Sequence, residues 1–275
     1  MTLICSLFAL LGPMLLLACG LIPSGWVNRW PRAMRTASVW LAGFTFVSAI
    51  AVAGCILDVG VISEKLLQTG YFGGLGFGVY IDGLSVSMML LISFIGWVIA
   101  KFSVRYLDGD AAQGRFTKWI NFTLGAVLLL VVSRNLIMFS VAWILTSFGL
   151  HQLLTHYSGR RWALIAARKK FLISRIGDVF LIAALGLTYL NFGSFEYDSV
   201  LTSAATLQSD SPSQGWLITL TALLYVFVAV TKSAQFPFHT WLPDTMETPT
   251  PVSALMHAGI INAGGFLILR LSPLV

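Results

Sequence analysis

Apolar positions dominate this chain in eight long runs, at about 2–22, 37–61, 84–100, 119–132, 136–154, 171–190, 216–236 and 252–271, separated by short polar connections. A helix of about 20 apolar residues crosses the hydrocarbon of a bilayer, and most of the runs approach or reach that length. The pattern predicts an all-α membrane protein with about eight transmembrane helices. The fourth and fifth runs are divided only by Ser133, Arg134 and Asn135, which predicts a tight polar turn. The glycine-rich segment Tyr71 to Gly78 predicts a flexible or re-entrant loop leading into the third span.

Composition agrees with the pattern. Of 275 residues 57% are hydrophobic and 10% charged, with a mean hydropathy of +0.85, which excludes a soluble enzyme and leaves no room for a separate soluble catalytic domain. The net charge of +6 is not gathered into one nucleic-acid patch. The loop after the first span carries Arg29, Arg32 and Arg35, and the loop after the third carries Lys101, Arg105, Arg115 and Lys118. The stretch between the fifth and sixth spans, with the first turn of the sixth, carries Arg160, Arg161, Arg168, Lys169, Lys170 and Arg175. The alternate loops carry only Lys65 and Arg134. The positive-inside rule therefore predicts an external N-terminus, with the acidic loop of Glu196, Asp198 and Asp210 also outside. No basic region precedes the first apolar run, so that run is expected to be a retained helix rather than a signal peptide. Cys5, Cys19 and Cys55 show no CxxC spacing; they are expected to be buried helix residues, with neither a disulfide framework nor a zinc site.

Ionisable residues inside spans carry the candidate chemistry, because a charge at the bilayer centre costs about 2.5–3.5 kcal/mol on insertion scales. Asp178 lies about two turns into the sixth span, and reads either as an i,i+3 clamp with Arg175 or as a proton relay. Lys232 lies late in the seventh, where it either snorkels to the interface or is buried. Pro237, Pro243, Pro249 and Pro251 follow it, and four prolines so close together cannot continue a straight helix. Broken helix at membrane depth is tolerated where protein or water satisfies the backbone, and transporters build ion sites there. The seventh helix is therefore expected to be discontinuous, with Lys232 just before the break. A buried lysine with a movable acidic partner can load and release a proton. His257, early in the eighth span, reads as a proton shuttle or as a packed histidine bonded to a carbonyl. His151 and His156 fall at the cytoplasmic end of the fifth span, as entry-side, partner-contact or solvated residues. His239 and Trp241 stabilise the broken segment in this reading, with Asp244 and Glu247 as further acidic candidates. No nucleotide-binding, zincin or hydrolase motif is present, so no cofactor is expected in this chain.

The run from Lys232 to Gly259 (KSAQFPFHTWLPDTMETPTPVSALMHAG) closely resembles the signature of the proton-conducting, antiporter-like membrane subunits, among them the large pumping subunits of respiratory complex I and the Mrp antiporters. Tyr80-Ile-Asp82-Gly83 and Ser174-Arg175-Ile-Gly177-Asp178 are similar to two further motifs of that family, in the same order. The resemblance implies that Lys232 is the family's buried lysine and His257 its eighth-helix histidine. It also implies one five-helix antiporter-like repeat over 119–275, preceded by two helices and the glycine-rich loop over 1–78 and by a third helix with its cytoplasmic loop over 79–118. Family members are much longer and carry an inverted second copy. The expectation is one of two half-channels, as a fragment or a natural truncation.

Complex I subunits usually carry a glutamate directly after the tryptophan of the fifth span, whereas Ile144 follows Trp143 here. Asp178 then becomes the nearest sequence candidate for the counter-charge of Lys232. The stretches Trp143 to Tyr157 and Arg168 to Arg175 resemble a more specialised branch, the DabB membrane subunits of DAB-type inorganic-carbon accumulation systems. That likeness implies a bacterial inner-membrane subunit, not itself an enzyme. It implies coupling of a cation gradient, H+ before Na+, to CO2 hydration and bicarbonate accumulation by a large carbonic-anhydrase-like, DabA-type partner that holds the zinc. A subunit of complex I or of a Mrp antiporter, and a non-conducting scaffold for a soluble partner, are the alternatives.

Overall fold

The computed structural model describes residues 2–68, 76–157, 159–210, 215–245 and 248–275. Eight helices in it are long and apolar enough to cross a membrane, as the hydrophobic pattern predicts. They are α1 (Thr2–Leu21), α3 (Pro31–Val59), α4 (Gly83–Tyr106), α5 (Gln113–Val132), α6 (Leu136–Leu154), α7 (Arg161–Phe192), α9 (Gly215–Lys232) and the eighth span Thr250–Arg270. Between them lie the short α2 (Ser24–Arg29), α8 (Tyr197–Asp210) and α10 (Trp241–Asp244). The eighth span is itself composite: α11 (Thr250–Leu255), a π-helical turn Met256–Ile260 and α12 (Asn262–Arg270).

Helix boundaries follow local chemistry. Asp82 caps α4 by accepting from the Ser85 N–H at 2.9 Å, and Asn135 caps α6 by accepting from Met138 N–H at 2.7 Å. Pro31 sits in the first turn of α3, where a missing N–H is harmless. Gly193 ends α7 at a φ of 63°, a conformation that favours glycine. The turn of Ser133, Arg134 and Asn135 divides α5 from α6 as expected. α5 is the central post, buried over 89% of its apolar window and packed against α1, α6, α4 and α3.

Three expectations are corrected. Cys5 of α1 and Cys55 of α3 form a disulfide that ties the start of one helix to the end of the other, because the two antiparallel helices bring the residues level; Cys19 remains free. Tyr71 to Gly78 is in part strand: Gly76–Ile81 (β2) pairs antiparallel with Ile62–Gln68 (β1), Ile62 opposite Ile81, and 69–75 lie outside the described residues. Finally, α7 begins ten residues before its apolar run, since the basic stretch before Phe171 consists of good helix formers whose long stems can lie along apolar surface. Lys170 is therefore a buried helix residue rather than a loop charge.

Candidate functional site

Lys232 ends α9 and is 5% exposed. Beyond it the chain turns through Ala234 and Pro237 into a 3-10 turn at Phe238–Thr240 and then α10, so the seventh helix is discontinuous. The break is held from the far side by Ser233, whose hydroxyl donates to the Ile261 carbonyl at 2.7 Å.

All three ammonium donors of Lys232 are aimed at α6. Nζ donates to the Trp143 carbonyl at 3.0 Å, to Thr146 Oγ1 at 2.6 Å and to Ser147 Oγ at 2.9 Å, and lies 4.4 Å from the centroid of the Trp143 ring. Positions 143, 146 and 147 share one helix face by their spacing. Every acceptor is neutral. Lys232 thus has full hydrogen bonding and one aromatic face, but no carboxylate partner among the described residues.

The same serine meets a second lysine. Lys170 Nζ, on a side chain 2% exposed, donates to the Ser147 carbonyl at 3.1 Å. The basic neighbours of Lys170 give it the look of a loop charge, yet the spacing along α7 carries a signal for its burial. Ala163, Ala166, Ala167, Lys170, Gly177, Asp178, Leu181, Ala184 and Thr188 form the buried stripe of α7 at three-, four- and seven-residue spacing.

Asp178 pairs with Arg175 at 2.7 Å, the i,i+3 clamp, rather than with Lys232. It remains within electrostatic reach of both lysines. Gly177 makes this closeness possible, since a Cβ there would collide with Thr231 of α9. His151, half-buried, sits with its ring 5.4 Å from that of Phe171 and within electrostatic reach of Lys170. Ile144 lies on the outward flank of α6 with Val141 and Phe148.

The remaining candidates are spread out. His257 is exposed on the π-helical turn, and its carbonyl accepts from Asn262. His239 is exposed and stacked on Phe236, and Asp244 forms a rim pair with Lys169 at 2.6 Å. Glu247 lies outside the described residues. His156 is paired with Asp110 at 3.2 Å beside Phe116 and Tyr157, at the end of α6. Of the sequence candidates, then, Lys232 and Asp178 share one buried neighbourhood, with the half-exposed Arg175 and His151 at its edge.

Eight spans and a broken seventh helix with a buried, fully hydrogen-bonded lysine beside the break define a multi-pass membrane protein with a candidate cation site. The model of the NADH:quinone oxidoreductase/Mrp antiporter transmembrane family matches residues 133–275, and that of the N-terminus of complex I chain 5 matches 67–117. The chain belongs to this antiporter-like family. It is 39% identical over 273 residues to a probable inorganic carbon transporter subunit, DabB2, of Halothiobacillus neapolitanus, covering 98% of this chain and 49% of that protein. It is 33% identical over 235 residues to the probable DabB of Hydrogenovibrio crunogenus, covering 85% and 45%. Among solved structures, the Mrp complex of a Dietzia species superimposes with a TM-score of 0.79 at 27% identity, over 94% of this chain and 28% of the other. The chain spans about half the length of the curated relatives it matches. Family and fold make it a multi-pass membrane protein of the antiporter-like kind.

Proposed function

We propose that this chain supplies the proton-conducting step of a bicarbonate-accumulating complex in a bacterial inner membrane, driving CO2 hydration at a carbonic-anhydrase-like zinc partner. Lys232 carries the proton, with Asp178 and Arg175 as the adjacent ion pair that biases it, and 119–275 as the conducting repeat. His257, on the exposed side of the eighth span, and His151, at the edge of the buried site, are the further relay positions. The observation that carries the reading is the setting of Lys232: buried at a helix break, held by neutral acceptors, with the nearest carboxylate bound to another cation. A charge in that setting is not locked by an ion pair and can be given up. The likeness to two DabB proteins supports the carbon-linked role.

The external N-terminus is part of the same proposal. The charge bias of the loops supports it, and so does the Cys5–Cys55 disulfide near the N-terminal end of α1, since disulfides persist in oxidising compartments. Expression of the full operon in a carbonic-anhydrase-deficient host tests the function. Growth in air is expected with the wild-type operon and lost with Lys232→Ala, while the variant protein remains in the membrane. Rescue that survives Lys232→Ala removes proton coupling and leaves a scaffold. A second reading, a respiratory or Mrp-type subunit, is favoured by 39% identity over 202 residues to a chloroplastic NAD(P)H-quinone oxidoreductase subunit 5 from Ranunculus macranthus. It predicts no rescue and co-purification with quinone-linked subunits.

A further inference from the structure

Two buried lysines converge on one serine. Lys232 reaches the Ser147 hydroxyl and Lys170 reaches the Ser147 carbonyl, from α9 and α7 respectively. Among the described residues, the charged groups that face the pair are Asp178 and Arg175 from α7 and His151 from α6. Asp178 is committed to Arg175, so one clamped carboxylate stands against two ammoniums and a guanidinium. Holding both lysines charged at once is opposed by their mutual repulsion and by the loss of water around each.

The two lysines are not equivalent. Lys232 has three acceptors for its three donors, whereas Lys170 has one among the described residues, the Ser147 carbonyl. Lys170 also lies one residue from Lys169, whose half-exposed pair with Asp244 is the rim of the site. Ser147 is suited to stand between them. Its hydroxyl accepts from the Lys232 ammonium in this geometry, and by rotating it can donate to the lone pair of the Lys232 amine.

We propose that Lys170 is a second proton carrier of this site, loading Lys232 across Ser147. The inference rests on the proton-coupling role proposed for Lys232. In the step, the Lys170 ammonium moves from the carbonyl to the hydroxyl oxygen of Ser147; the Ser147 O–H bond breaks as an N–H bond forms at the Lys232 amine, and an N–H bond of Lys170 breaks as its proton re-forms the Ser147 O–H bond. Lys170 is left as a neutral amine and Lys232 becomes the ammonium, so the charge of the pair is unchanged. The Ser147 hydroxyl turns from donor to acceptor as the proton arrives. The lysine pair thereby does what a lysine and an acid would do, with a neutral amine in place of a carboxylate.

The test is proton flux through the full complex in proteoliposomes, followed with a pH-sensitive dye across a pH series, after equal membrane insertion has been checked. Lys170→Arg keeps the length, charge and donors but does not release a proton, and Lys170→Met removes the charge. Both are expected to lower flux by about 100-fold or more, the scale at which a positioned proton donor matters. Wild-type flux is expected to titrate in two steps, which become one in Lys170→Met, as for interacting sites that lose a member. Ser147→Ala is expected to slow flux while leaving both steps. Lys170→Arg with wild-type flux and an unchanged pH profile overturns the proposal and makes Lys170 structural. If Lys232→Ala also keeps its flux, the proposed function fails; if Lys232→Ala is dead and Lys170→Arg is normal, only this inference fails.

Discussion

The N-terminal ends of α4, α6 and α8 and the buried lysine site treat positive charge in opposite ways. Beside β1 and β2, Arg134 bonds Ser63 and pairs with Glu196 at 3.5 Å and Asp198 at 3.1 Å, while Lys65 takes the other oxygen of Glu196 at 2.8 Å. Arg270, at the end of α12, grips both oxygens of Asp82 at 2.7 and 3.1 Å and donates to Ser85 at 2.6 Å. Tyr80, Tyr197 and Phe266 surround its guanidinium. Burial pushes the Tyr197 phenol up to about 12, so that ring stays neutral beside the arginine. Around Lys170 and Lys232 no ion pair to either lysine occurs among the described residues. Arginines paired with carboxylates, one of them bidentate, hold elements together and cannot shed a proton; lysines on neutral acceptors can. One region is a clamp, the other a site at which charge can move.

The largest effect that separates them is Lys232→Ala, expected to reduce proton flux by at least about 100-fold with little change in unfolding temperature, since it removes a proton carrier rather than a clamp. Dye-monitored flux and thermal unfolding in detergent read the two quantities on one sample. Arg270→Ala should do the reverse. It leaves Asp82 half-buried and unpaired, for an expected loss of about 3–5 kcal/mol of stability, while the protein that remains folded conducts normally. A dead but stable Arg270→Ala, or an unstable Lys232→Ala with residual flux, breaks the comparison.

Asp178→Asn comes next. It removes the carboxylate that is shared by electrostatics between Arg175 and the lysines, leaving three basic groups together without it. Flux is expected to fall several-fold but not vanish, because Lys232 keeps all of its acceptors. An effect as large as that of Lys232→Ala would make Asp178 a carrier in its own right.

Much of this could be read from the residues. Eight spans, the break after Lys232 and the Arg175–Asp178 alternative follow from run length, proline spacing and i,i+3 geometry. What escaped depends on contacts far apart in sequence. Nothing local places Cys5 level with Cys55, or turns Trp143, Thr146 and Ser147 toward Lys232. Lys170 escaped for another reason: its neighbours Arg168 and Lys169 made it look like one more loop charge, although its seven-residue spacing from Gly177 put it on the buried stripe. β2 escaped because glycines between apolar residues carry little strand signal, and β1, with Ser63, Glu64 and Lys65 in its first half, lacks a clean alternation.

The smallest predicted effect lies at the opposite end of α6, where a pair differs from both regions. Burial pushes the His156 imidazole below its ordinary value of 6.5, against the Asp110 carboxylate 3.2 Å away, which acts in the other direction. The folded chain therefore keeps His156 neutral at a pH where the unfolded chain protonates it. As pH falls below 6.5 the unfolded state binds more protons, so the contribution of His156 to stability is complete above that value and declines beneath it. Asp82 behaves differently. Burial raises its carboxyl, but the Arg270 and Ser85 hydrogen bonds outweigh burial and hold it below the ordinary 3.8, so the clamp is complete above 3.8 and is lost only as pH falls further. Thermal unfolding measured between 3.8 and 6.5 thus isolates His156 from the clamp. A modest decline of unfolding temperature with pH in that window is expected for the wild type, and a flatter one for His156→Asn. Flux at neutral pH should be the same in both; a His156→Asn protein with impaired flux would extend the conducting path to the C-terminal end of α6 and join this pair to the lysine site.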